Sequence, residues 1–147
     1  MPETAWKRPE SVLVLIYTRI GEVLLLERLQ PAGYWQSVTG SLEGDEPAAE
    51  AAVREVREET GLEVGDCLVD CRYANRFEII PPWRSRYAPT EQTNTEHVFR
   101  VEYSARPAIR INLSEHSRYQ WLNRARALAL ASSRTNREAI ACFVPAE

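Results

Sequence analysis

Apolar positions along the chain gather first into two short runs, Val12-Leu13-Val14-Leu15-Ile16-Tyr17 and Val23-Leu24-Leu25-Leu26, with Arg19-Ile20-Gly21-Glu22 between them. Bounded runs of this length around a Gly-containing turn predict a hairpin buried on both faces. Gln30-Pro31-Ala32-Gly33-Tyr34 is a loop by its Pro and Gly, and residues 35–39 form a short strand that stops at Gly40. The period then changes. Ala49, Ala52, Val53 and Val56 recur at helical spacing, which predicts a helix with one inward apolar face. Pro47 suits its first turn, Asp45 or Glu46 can cap the free amides, and Gly61 is placed to end it. Residues 63–80 read as largely extended, and Pro81-Pro82-Trp83-Arg84-Ser85-Arg86-Tyr87-Ala88-Pro89 is an aromatic and basic loop too long for a hairpin turn. Strand patterns follow at 96–103, 109–113 and 119–122. Asn123 can cap a helix running to about Ser132, and Thr135 or Asn136 a last one through Phe143. The expected architecture is α+β, a mixed sheet flanked by one early helix and a helical C-terminus.

Composition narrows the class. With 147 residues, 44% of them apolar and 27% charged, the chain is expected to form one domain over 1–147. No window approaches the roughly 18 apolar residues of a membrane span. The start Met1-Pro2-Glu3-Thr4-Ala5-Trp6-Lys7-Arg8 lacks the apolar core of a signal peptide, so a soluble cytoplasmic protein is expected, with no membrane partner. Cys67, Cys71 and Cys142 have neither redox nor zinc-finger spacing and read as reduced thiols.

Charge is unevenly placed. The net charge is -3, yet residues 43–66 carry nine acidic side chains against Arg54 and Arg57, which makes that segment -7 and the remainder +4. An acidic block is often a solvated face or a tail. Here it overlaps the helix, and Glu55, Glu58 and Glu59 stand at i, i+3 and i+4, one face opposite the apolar stripe. Like charges so placed destabilise a helix by about 0.2–0.5 kcal/mol per pair, unless a cation uses them. Oxygen-only ligands without nearby His or Cys suit a hard ion, Mg²⁺ or Mn²⁺, and Mg²⁺ commonly completes its shell with water and substrate phosphate. Arg54 can hold a neighbouring carboxylate by a bidentate bond.

The spacing around these glutamates is more specific still. Gly40, five residues, Glu46, seven residues, then Arg54-Glu55-Val56-Arg57-Glu58-Glu59-Thr60-Gly61-Leu62 resembles the Nudix box, G-x5-E-x7-R-E-U-x-E-E-x-G-U, at every fixed position. The resemblance implies the Nudix fold, an α/β/α sandwich with a catalytic loop-helix-loop, and a hydrolase of nucleoside diphosphates linked to another moiety. It further implies that Glu55, Glu58 and Glu59 form the metal site, with Arg54 and Glu46 as structural partners. Trp35-Gln36-Ser37-Val38-Thr39-Gly40-Ser41, Arg86-Tyr87-Ala88-Pro89, Asn94-Thr95-Glu96 and Ser114-Glu115-His116 are similar to a bacterial branch of that family. That branch removes pyrophosphate from dihydroneopterin triphosphate in folate biosynthesis, leaving the monophosphate. Gly44-Asp45 departs from it, where the branch more often has an acidic residue before Gly.

Further candidates each have a plainer account. Glu115 follows the pattern at 109–113 in a polar turn and is expected to serve as metal ligand or general base, against a simple surface glutamate. Lys7 and Arg28 lie at the ends of two early strands, where they would meet a triphosphate or only solvent. Thr39 adjoins the box glycine and can donate a hydroxyl. Phe77-Glu78-Ile79-Ile80 is a strand end or a wall of the ring pocket, with Glu78 accepting from a guanidine-like edge. Ser133 is a substrate contact by resemblance alone, and His97 and His116 are weaker candidates. The basic aromatic loop is also what single-stranded nucleic acid binders use, but a net acidic chain with an acidic central helix argues against a nucleic acid partner. A house-cleaning (d)NTP pyrophosphatase acting on ordinary or oxidised nucleotides would carry the same box. A non-catalytic nucleotide sensor would generally lose one of the box glutamates, and this chain keeps all of them. Monomer and homodimer are both compatible with this pattern.

Overall fold

The computed structural model describes residues 6–79 and 84–146. Seven strands form one mixed sheet in which β1 (Glu10–Thr18) is central. Along its whole length β1 pairs in parallel with β6 (Thr93–Tyr103), from Glu10 opposite Thr95 to Thr18 opposite Tyr103. Its other edge is shared: β4 (Val38–Ser41) pairs antiparallel with residues 11–14, and β2 (Glu22–Arg28) meets it at Tyr17 opposite Val23. That change of partner splits the sheet, because β2 continues onto β3 (Trp35–Gln36) and β7 (His116–Asn123) while β4 stays with β1. On the far side of β6 lies β5 (Val69–Glu78), antiparallel to it.

The unbroken apolar runs have the expected cause, with alternate residues going to opposite layers. Val12, Val14, Ile16, Leu24 and Leu26 pack against Ala51, Ala52 and Val56 of α1 (Ala48–Thr60). Leu13, Leu15, Tyr17, Val23 and Leu25 pack on the other face against Ala127 of α2 (Arg124–Leu130) and Ala139 and Ile140 of α3 (Arg134–Phe143). The result is an α/β/α sandwich. Among the described residues no helix is long and apolar enough to cross a membrane.

Several local expectations change. Residues 109–113 form no strand: the segment runs irregularly across the end of α1, with Ile109 and Ile111 packed on the core and the Arg110 amide bound to the Thr60 carbonyl at 2.9 Å. Apolar alternation there reflects packing without a ladder. Ala49 is exposed, and Ala51 takes the inward place assigned to it. Pro47 occupies the N-cap of α1 with no side-chain cap, since Glu46 is engaged elsewhere. Ser133, not Thr135 or Asn136, caps α3 by accepting from the Asn136 amide. Gly61 does end α1, at φ 79°, with its amide returning to the Arg57 carbonyl. A left-handed residue there strongly favours glycine.

Candidate active site

A cleft of about 1270 Å³ opens where β1 changes partner, and most of the candidate residues line it. Lys7, Arg28, Thr39, Gly40, Glu55, Glu59, Phe77, Glu78, Ile79, Glu115 and Ser133 all contribute to its wall. Glu58 does not: its side chain is 52% exposed and rests against Arg54 Nη1 at 3.4 Å. Ile80, with Pro81, Pro82 and Trp83 of the following loop, lies outside the described residues.

The three box glutamates do not share one solvated face. Glu59 is 2% exposed and Glu55 is largely covered, so the helix turns these two toward the cleft and leaves Glu58 on the rim. Their carboxyl groups face each other closely enough to perturb one another. Burial first, then the adjoining carboxyl group of Glu55 and its charge, hold the Glu59 carboxyl well above the usual carboxylate range. Glu59 Oε1 has no hydrogen-bond partner. The nearest cation candidate, His116 Nε2, is 3.7 Å away and itself unpartnered, with burial and the Arg28 charge pushing that imidazole down to about 4. It is therefore neutral near pH 7.

Arg54 organises the loop before the helix. Its Nε and Nη2 donate to the two oxygens of Glu46 at 2.8 and 2.9 Å, Nη2 also to the Ser41 carbonyl at 3.0 Å, and Nη1 to Glu55 Oε2 at 3.0 Å. The fork thus ties the loop to the helix and aims Glu55, as the sequence leads one to expect. Glycine at position 40 has a steric reason. A Cβ there would lie 2.7 Å from Glu55 Cγ and still closer to its carboxyl group.

Charge is arranged across the cleft. Lys7 feels the carboxylates of Glu55 and Glu115 and the guanidinium groups of Arg86 and Arg28, and burial is the main cause holding its ammonium below the usual lysine range. Arg28 ends β2 at an irregularity in the β2–β7 pairing, with its Nε on the Gln30 carbonyl at 2.8 Å. Next to it, the Leu29 amide binds the Glu115 carbonyl at 3.0 Å, which fixes the Glu115 turn beside the helix glutamates. Glu115 is exposed at the cleft and close enough to raise Glu59. Thr39 is committed locally, its hydroxyl donating to the Val12 carbonyl at 2.8 Å.

No ready-made cage of three His, Cys, Asp or Glu side chains exists among the described residues. The donors nevertheless suit a hard divalent cation. Two neighbouring carboxyl groups, one with a bare buried oxygen, are the few protein ligands Mg²⁺ takes when water and phosphate supply the rest.

The cleft is also lined by polar residues that the chain pattern did not single out as contacts. Ser11, Gln36, Asn94, Glu96, Thr135 and Asn136 are all buried and all line it. The available signal was a period-two polar pair, Asn94 and Glu96, on a strand otherwise rich in apolar residues.

Comparison with known proteins agrees with this geometry. The NUDIX domain model matches residues 7–143. The chain belongs to the Nudix family. It is 44% identical over 149 residues to the dihydroneopterin triphosphate diphosphatase of Escherichia coli K12, covering 98% of this chain and 97% of that one. The Haemophilus influenzae protein of the same name is 39% identical over 141 residues, covering 92% and 87%. The structure of the E. coli dihydroneopterin triphosphate pyrophosphohydrolase superposes with a TM-score of 0.87 at 41% identity, over 96% and 98% of the two chains. The α+β sandwich described above is thus the Nudix fold, and Nudix hydrolases generally use divalent metal ions.

Proposed function

We propose that this Nudix chain, acting as one domain over 1–147, hydrolyses dihydroneopterin triphosphate to dihydroneopterin monophosphate and pyrophosphate. The observation that carries the reading is the cleft, which is lined both by carboxylates and cations, fit for polyphosphate, and by buried polar side chains, fit for a heterocycle. The relatives' activity, at 44% and 39% identity over nearly full length, supports the choice of substrate.

In this reading Glu55 and Glu59 hold Mg²⁺, for which Mn²⁺ can substitute, and Glu58 swings from Arg54 to complete the site or take a second ion. Bound there, the cation neutralises polyphosphate oxygens and lowers the pKa of a bound water. Glu115 is the remaining carboxylate, as ligand or as the base that takes the water's proton. Lys7 and Arg28 share the negative charge that grows on the phosphates. Thr39 and Ser133 flank the substrate, and Phe77, Glu78 and Ile79 wall the ring. One water is consumed: its oxygen bonds to phosphorus, the α–β bridge breaks, and pyrophosphate leaves. We place the enzyme in the cytoplasm, in keeping with free Cys67, Cys71 and Cys142.

A competing (d)NTP pyrophosphatase would use the same carboxylates and differ at the ring. The deciting comparison is kcat/KM for dihydroneopterin triphosphate against dATP, dGTP and 8-oxo-dGTP. The pterin substrate is expected to lead by at least about tenfold, the discrimination a few ring hydrogen bonds supply. A smaller lead, or preference for a nucleotide, would reject the assignment.

A further inference from the structure

The buried polar part of the cleft lining is built at a cost the fold does not need. Asn94 and Glu96 lie two residues apart on β6 and so face the same side of the sheet, roughly 7 Å apart along the strand. Directly across from them on β5 are Phe77 and Asn75. Asn94 is 2% exposed; its Nδ2 donates to Ser11 Oγ at 2.7 Å, while its Oδ1 has no partner at all. Glu96 is 6% exposed, with Oε1 accepting from Asn75 Nδ2 at 3.1 Å, and Thr135 hydrogen-bonds the same carboxyl group. No arginine or lysine pairs with it among the described residues. Buried acceptors that lack donors are normally removed from a core or satisfied by a ligand.

We propose that Glu96 and Asn94 are specificity-determining residues that read the substrate ring. The Glu96 carboxylate accepts from a guanidine-like edge, the ring N–H and its neighbouring amino group, and Asn94 Oδ1 accepts a further N–H of the same heterocycle. Asn75 and Ser11 orient the two side chains, and Phe77 supplies an apolar surface opposite Asn94. A carboxylate is the natural acceptor for adjacent donors. Glu78 also lines the cleft, but it is exposed, and an acceptor in water discriminates far less than one held in the interior. The proposal rests on the substrate reading above, and deepens it by naming what recognises the ring.

The test compares wild type with Glu96→Gln, which keeps size and can keep the Asn75 contact through its amide oxygen but offers an amide N–H donor where the substrate presents donors. The readout is the ratio of kcat/KM for dihydroneopterin triphosphate to that for dTTP, whose ring lacks the two-donor edge. That ratio is expected to fall at least about tenfold, through KM more than kcat, and the dGTP to dTTP ratio should fall with it. An unchanged ratio in a variant that melts like wild type overturns the proposal while leaving the substrate assignment intact. If wild type favours dGTP over the pterin and Glu96→Gln lowers the dGTP to dTTP ratio at least about tenfold, the ring reader stands and the substrate assignment fails. Should the variant not fold, inhibition of wild type by neopterin and by an N3-methylated neopterin decides: about tenfold weaker inhibition by the methylated ring is expected, and equal inhibition overturns the proposal.

Discussion

Replacing Glu59 with Gln is expected to lower kcat at least about a thousandfold while leaving the folded protein as stable as wild type in the absence of metal, or more so. The two halves have one cause. Glu59 is almost wholly buried, lacks a partner at Oε1, and lies beside the Glu55 carboxyl group instead of meeting a charged cationic side chain. A buried carboxylate in that setting is unfavourable without a cation, and a neutral amide of the same shape removes the penalty. The same change deletes a ligand of the proposed ion, and loss of charge neutralisation at a phosphoanhydride is worth several kcal/mol of barrier. Melting curves with and without Mg²⁺ separate this from simple damage, since a ligand stabilises only the state that binds it. Wild type should gain melting temperature on adding Mg²⁺ and Glu59→Gln should not. A variant with normal turnover would remove Glu59 from the site.

Gly40→Ala should have the second largest effect, without any catalytic group being changed. The added methyl would occupy the space of the Glu55 side chain, whose Cγ lies 2.7 Å from the position the Cβ would take. Because the obstructed atoms belong to the end of a flexible side chain, the loop need not unfold; the carboxylate moves instead. Displacing a ligand by about 1 Å is expected to cost on the order of 100-fold in kcat/KM, with global stability changed by less than about 1 kcal/mol. Arg54 also grips Glu55, so the displaced group would strain the Arg54 fork as well. Steady-state kinetics beside chemical denaturation check both halves. Full activity would show that Glu55 is not held where the cleft needs it.

Much of this site could be read from the chain because it is local. Glu55 and Glu59 are one helical turn apart, Glu46 stands just before the helix that carries Arg54, and Gly61 marks the helix end, so spacing alone sets their relation. What the pattern misjudged is which carboxylates are buried. Helical spacing places Glu55, Glu58 and Glu59 together, but burial depends on where the sheet edge lies, and that edge is created by β1 exchanging β4 for β2. The irregular course of 109–113 escaped for a similar reason: Ile109 and Ile111 alternate because both pack on the core, not because a partner strand exists. The buried polar lining was hardest to see. Ser11, Asn94, Glu96 and Asn136 come from β1, β6 and α3 and meet only through the parallel β1–β6 pairing and the docking of α3. Single polar residues in apolar strands carry no label for what they face.

The central claim is that the carboxylate-lined cleft cuts the α–β bridge of a pterin triphosphate. Phosphorus NMR of dihydroneopterin triphosphate incubated with the protein and Mg²⁺ tests it directly. The account predicts monophosphate and pyrophosphate appearing in equal amounts, and no reaction when the metal is chelated. Stepwise release of orthophosphate, or an unchanged triphosphate under conditions where dGTP is consumed, would contradict it.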